Sequence, residues 1–172
     1  MRYFILPILL LLSISTTGAQ DLSYDDTDYS QLTKKEQRQV NCLAQNIFFE
    51  SGAEPYKGKV AVAMVTINRT KASQYPDNIC GVVKQKVKGV CQFSWVCNSE
   101  KNIVYYKKTE TYQDILKLAT FVYLNNDYIN DITKGATHFH TVDINPGWYN
   151  LKRTIKIGRH VFYKSKQKVS KT

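Results

Sequence analysis

The sequence contains no stretch of about 20 apolar residues, the length a helix needs to cross a bilayer. Its longest apolar run, Phe4 to Leu12, is too short and is soon followed by Ser, Thr and Gly, so a confident membrane span is excluded. There is no internal repeat and no low-complexity linker, and a second domain is not required. An HExxH pair is also missing, and with it the usual sequence sign of a zinc protease. No basic helix is interleaved with aromatics, the pattern that would mark a nucleic-acid groove.

What the amino end does have is Arg2 ahead of the apolar run and Thr17-Gly18-Ala19 behind it, the layout of an export signal. Residues 1–19 are expected to be removed on export, an uncleaved anchor being the alternative. The rest should then face an oxidising compartment without a stable membrane span. Lys and Arg number 24 against 14 Asp and Glu, for a net charge of +10, but the excess is uneven. Asp21, Asp25, Asp26 and Asp28 make residues 20–32 an acidic flexible segment, whereas Lys164, Lys166, Lys168 and Lys171 make 164–172 a basic tail. Between them, 33–163 suffices for one domain with its own core. A basic body suits long-range attraction to an anionic polymer. For an exported chain a cell-surface polymer fits better than nucleic acid, and charge that serves solubility alone explains the excess equally well.

The four cysteines, Cys42, Cys80, Cys91 and Cys97, all lie in that body. An even number in an exported chain points to two disulfides. A zinc site on Cys91 and Cys97 is the competing reading, but their five-residue gap is wider than zinc knuckles use. Three pairings exist and sequence does not choose among them; Cys42–Cys97 with Cys80–Cys91 is the working expectation.

Thr33-Lys34-Lys35-Glu36 matches a capping box, in which a hydroxyl at a helix start and a carboxylate three residues on satisfy each other's backbone N–H groups. Val40, Leu43, Ala44 and Ile47 then repeat at helical spacing, and Gly52 and Pro55 stop the helix. Glu50 falls beside this apolar stripe at the helix end. Burial disfavours a charged carboxyl and lets it hold a proton near neutral pH, so Glu50 is a candidate acid, although an ordinary surface glutamate would look the same. Residues 57–71 mix β-branched residues with Ala and Met and are expected to form a buried helix. A short helix is expected over Asn78–Val87 and a longer one over Gln113–Leu124. From Thr137 the texture turns to β, with Thr137–Val142 and Thr154–Tyr163 as strands and Gly158 as a hairpin turn.

Several words occur in a fixed order: Ile47-Phe48-Phe49-Glu50-Ser51-Gly52-Ala53-Glu54-Pro55, Asn68-Arg69-Thr70, Gln92-Phe93-Ser94-Trp95, Gly135-Ala136-Thr137-His138-Phe139-His140, Pro146-Gly147-Trp148 and Ile157-Gly158-Arg159-His160-Val161-Phe162-Tyr163. They resemble the SleB-type cell wall hydrolase family from about Asn41 to Tyr163. The resemblance implies an α+β, lysozyme-like, disulfide-stabilised domain, mostly helical with a small antiparallel β element. It also implies cleavage of peptidoglycan glycan strands between N-acetylmuramic acid and N-acetylglucosamine, by lytic transglycosylase chemistry in the best-known members. Glu50 then takes the place of the family's catalytic glutamate, in a motif read here as Glu50-Ser51-Gly52-Ala53-Glu54-Pro55.

One carboxyl group suffices for that reaction. A hydrolase would want a second, for which Glu54, Asp77 and Asp143 are the candidates; Glu54 could equally cap the next helix. The resemblance tips Gln92, Ser94 and Trp95 towards the glycan groove, with core packing of the aromatics as the plain alternative. Thr137, His138 and His140 are further groove candidates, against a reading in which they pack beneath Trp148. With His160, the histidines could instead hold zinc in an amidase or peptidase. A non-catalytic wall-binding module is the third alternative. A monomer without metal or cofactor is expected.

Overall fold

The computed structural model describes residues 28–98 and 103–165. The expected export segment 1–19, most of the acidic segment and most of the basic tail lie outside the described residues. Among the described residues no helix is long and apolar enough to cross a membrane.

The Thr33 box forms as read. Thr33 N and Oγ1 both donate to Glu36 Oε2, at 2.9 and 2.6 Å, while Glu36 N donates to Thr33 Oγ1 at 3.3 Å. It starts α1 (Lys34–Ser51), which buries Val40, Leu43, Ala44 and Ile47. A tight turn, with Glu54 N donating to Ser51 O, leads through Pro55 into α2 (Tyr56–Thr70). Every residue from Ala61 to Ile67 is buried. Burial on all sides is why α2 reads hydrophobic without a clear period: tertiary packing overrides the strand preference of its Val, Thr and Ile residues.

One face of α2 joins α1, α3 (Ile79–Lys84) and a later helix, α5 (Glu110–Asn125), in the main core around Leu43, Ile47, Met64, Val83, Ile115 and Leu118. Its other face sets Ala61 and Val65 against Ile157 and Phe162 of a small sheet. The central helix therefore carries the sheet on a wholly apolar seat, worth about 1.5–3 kcal/mol for each large side chain fully buried.

That sheet is antiparallel, in the order β3 (His138–Thr141), β5 (His160–Ser165), β4 (Leu151–Ile157). Gly158, at φ +56°, makes the β4–β5 turn. A second, two-stranded ribbon, β1 (Lys86–Val87) with β2 (Val90–Cys91), replaces the end of the helix expected to reach Val87. Lys88 and Gly89 both take positive φ, 52° and 82°, the backbone a two-residue hairpin needs. A short helix α4 (Ile103–Tyr106) precedes α5.

Two disulfides form, but not in the expected pairing. Cys42 joins Cys80 and Cys91 joins Cys97, with Cα–Cα distances of 5.2 and 6.0 Å. Packing of α1 on α3 decides the first, helped by Cys80 N donating to Gln39 Oε1 at 3.0 Å. The second is local, closing the turn that holds Gln92 to Val96.

Asp131 fastens the sheet to α2. It accepts from Thr133 N (2.8 Å), Thr133 Oγ1 (2.6 Å), Gly135 N (2.6 Å) and Asn68 Nδ2 (2.9 Å). Burial alone would raise its carboxyl, but these donors outweigh burial and hold it below the ordinary value. A folded-state pKa below the unfolded one adds stability above the unfolded value that is lost as pH falls. Asp131→Ala should therefore lower stability by about 2–3 kcal/mol at pH 7. In urea melts, the gap to the parent should narrow towards pH 3.

Candidate active site

A cleft of about 440 Å³ lies between the end of α1 and the sheet. Phe49 and Glu50 come from α1, Ser94 and Trp95 from the disulfide-closed turn, Phe139, His140 and Thr141 from β3, and His160 from β5; Ile144, Pro146 and Trp148 of the β3–β4 connection complete it. A cavity of similar volume, 450 Å³, opens beside the start of α1, with Thr33, Glu36, Asp77 and Tyr123 among its lining. It holds none of the residues singled out as a groove. The cleft at Glu50 does, and among the described residues it combines one carboxyl with several aromatic rings.

Glu50 reaches this cleft because seven residues, two helical turns, separate it from Leu43 on the buried stripe of α1. Trp95 is half-buried and stacked on Phe49, ring centroids 4.7 Å apart and planes 26° from parallel. Ser94 is exposed at the rim. His140 is held at both ring nitrogens: Nδ1 donates to Thr141 O at 2.7 Å, and Nε2 lies 3.0 Å from Tyr163 Oη.

Glu50, Ser94, Trp95 and His140 thus come together, while the other sequence candidates stand elsewhere. Gln92 is exposed beyond the cleft lining, its N–H given to Gln85 O at 3.0 Å. Thr137 is buried, its hydroxyl 2.9 Å from His138 Nδ1. His138 packs between Tyr75, 3.4 Å from its Nε2, and Trp148, 5.5 Å between ring centroids. Burial, reinforced by the Arg69 cation, pushes His138 down to about 4, so it is neutral at physiological pH.

The strand register separates the three histidines. His138 and His140 share a face with their partners Tyr163 and Val161, while His160 lies on the opposite face with Phe139 and Phe162. Among the described residues no three His, Cys, Asp or Glu side chains converge as a metal ligand set.

None of the three candidate second acids lines the cleft. Asp77 belongs to the cavity at the other end of α1. Asp143 is ion-paired with Arg159 at the surface. Glu54 does not cap α2, whose start has no side-chain cap bond. It is buried instead, and its Oε2 accepts from Arg159 N at 3.2 Å, tying the β4–β5 turn to the α1–α2 turn. A Cβ on Gly158 would stand 1.9 Å from that oxygen, so the motif's glutamate and the hairpin's glycine require each other. His160 Nδ1 is 3.9 Å from Glu54 Oε1. Burial lowers His160 more than Glu54 raises it, so this contact is not an ion pair near neutral pH.

Sequence reasoning missed Arg69. It is 6% exposed; Nε donates to Thr137 O at 2.7 Å, and its guanidinium lies 4.8 Å from the Phe93 ring centroid and 5.3 Å from that of Tyr75. Burial lowers its pKa, opposed by Tyr75 and by Glu50, whose charge is within electrostatic reach. Together with Asn68, which donates to Ala136 O at 3.0 Å, it anchors the two residues just before β3 to the end of α2. The signal available in the sequence was a cation two residues after the mostly apolar stretch 60–67.

Helical core and three-stranded sheet define the class of domain, and the comparisons agree. The Cell Wall Hydrolase family matches residues 53–163, a stretch that begins three residues after Glu50, and the chain belongs to that family. The spore cortex-lytic enzyme of Halalkalibacterium halodurans is 32% identical over 125 residues, covering 72% of this chain and 34% of that protein. That of Bacillus subtilis is 26% identical over 127 residues, covering 72% and 36%. The chain thus spans about a third of the length of these curated relatives. Among solved structures, the catalytic domain of the germination-specific lytic transglycosylase SleB from Bacillus anthracis superposes with a TM-score of 0.58 at 28% identity, covering 74% of this chain and 95% of that one. The catalytic domain of Bacillus cereus SleB gives 0.56 at 28% identity, covering 74% and 91%. The α+β class and the small antiparallel β element are those of these neighbours, as the sequence led us to expect.

Proposed function

We propose that the chain cleaves the glycan strands of peptidoglycan, between N-acetylmuramic acid and N-acetylglucosamine, as a lytic transglycosylase with Glu50 as its acid and base. The observation that carries this reading is a cleft walled by Phe49, Trp95, Phe139 and Trp148 in which Glu50 is the lone carboxyl among the described residues, with Glu54, Asp77 and Asp143 all directed elsewhere. Protonated Glu50 gives its proton to the glycosidic oxygen as the bond from C1 to that oxygen breaks, through an oxocarbenium-like transition state. The resulting carboxylate then takes the proton of the muramic acid C6 hydroxyl, whose oxygen bonds to C1. The product is a 1,6-anhydro end, and Glu50 is left protonated for the next cycle. The aromatic walls stack on sugar faces, while the hydroxyl of Ser94 and the imidazole of His140 offer hydrogen bonds. Mass spectrometry of digested sacculi tests the reading: anhydro-ended muropeptides support it, and reducing ends or freed peptide termini in their place sink it.

Such a substrate lies outside the cytoplasmic membrane. The two disulfides and the amino-terminal signal pattern support action there. The net charge of +10 supports electrostatic capture by an anionic wall. Capture of this kind is screened by salt, so sacculus binding should weaken several-fold when ionic strength rises from about 0.05 to about 0.3 M in a pelleting assay.

A further inference from the structure

Asn46 is a polar residue in an apolar place. It is fully buried on α1, one turn before Glu50, among Leu43, Ala44 and Ile47. Its amide is used at both ends. The indole Nε1 of Trp95, a donor only, gives its hydrogen to Asn46 Oδ1 at 3.0 Å. Asn46 Nδ2 donates to Thr66 Oγ1 at 3.1 Å, and the Thr66 hydroxyl donates in turn to Val62 O at 3.2 Å. The direction of the chain is thereby set from Trp95 to the backbone of α2, and the amide has one orientation that satisfies it.

Trp95 is held on two sides as a result. Its N–H edge is fastened to Asn46, and one face is covered by Phe49 at 4.7 Å. The ring lines the cleft together with Glu50. Without the Asn46 bond the indole could turn about its side-chain torsions, and each sugar bound would have to reorder it at a cost in affinity.

We propose that Asn46 is a positioning residue that sets the affinity for glycan by fixing the Trp95 ring as a rigid sugar platform next to Glu50. The inference rests on the glycan reading of the cleft. Asn46 acts only through Trp95, so the effect falls on ground-state binding, raising KM with little change in kcat.

The test is steady-state kinetics of the mature protein on purified glycan strands, with Asn46→Leu, Trp95→Phe and the double variant, each checked by thermal melting. Asn46→Leu should raise KM about five- to tenfold with kcat within about twofold. Trp95→Phe keeps a ring against Phe49 but has no N–H, and should raise KM similarly. It replaces a half-exposed ring, so it stays informative even if Asn46→Leu fails to fold. In the Trp95→Phe background, Asn46→Leu should add nothing further. An unchanged KM for Trp95→Phe overturns the proposal, as do fully additive effects in the double variant, because Asn46 would then act independently of the indole. If the parent protein itself yields no anhydro-ended product, the glycan reading fails and the inference falls with it. If the parent is active and the KM values do not move, only the role of Asn46 is refuted.

Discussion

Glu50→Gln should abolish release of anhydro-ended muropeptides from purified sacculi, lowering the rate by about 10²- to 10⁴-fold, the range that a positioned acid–base group contributes. Glutamine keeps the shape of the side chain and its capacity to hydrogen-bond, but has no proton to give and no carboxylate to receive one. Both half-reactions are lost together. Glu50 is only partly buried at the end of α1, so the melting temperature should stay within a few degrees of the parent. Sacculus pelleting should also survive, because the aromatic walls and the basic surface are intact. A Glu50→Gln protein that still produced anhydro ends would remove this carboxyl from the mechanism, and no other candidate acid lines the cleft to take its place.

Glu54→Gln makes the instructive contrast. Glu54 is close in sequence and buried, yet it serves the β4–β5 turn through Arg159 N. Its loss should appear as a lower melting temperature, with the reaction retained. Two glutamates in one motif are thus divided between chemistry and architecture by what each faces.

That division was only half legible in the sequence. Glu50 could be placed beside the buried stripe because helical periodicity is local, and the Thr33–Glu36 box fixed where that helix begins. The partner of Glu54 lies 105 residues away, and no periodicity reports a contact across such a distance. The Lys88–Gly89 ribbon was missed because its strands are two residues each, too short to show alternation. His138 and His140 could be assigned to one strand face, with Trp148 weighed as their cover, but not the fact that Tyr75 would close over His138 as well. Asn46 and Arg69 illustrate the same limit. Both are buried polar residues beside polar neighbours in the sequence, and their meaning came only with the residues they touch.

The cysteines carry this point to a measurable consequence. Cys42 and Cys80 are 38 residues apart, so their bond closes a large loop that includes the end of α1 and all of α2. In the chain-entropy account such a cross-link stabilises by about 4 kcal/mol, against about 2 kcal/mol for the six-residue separation of Cys91 and Cys97. Cys42→Ser/Cys80→Ser should therefore melt roughly 10–15 °C below the parent, yet retain most of its activity at low temperature, because neither cysteine lines the cleft. Cys91→Ser/Cys97→Ser should show the opposite balance: a smaller loss of melting temperature and a larger loss of activity, since that bond closes the turn presenting Ser94 and Trp95 to the substrate. Had the pairing been Cys42–Cys97 with Cys80–Cys91, either double variant would take one cysteine from each bond and open both, and the two would not separate stability from activity. Calorimetry and muropeptide release on the two double variants decide between the pairings, and a reversed or identical pattern would refute the connectivity described here.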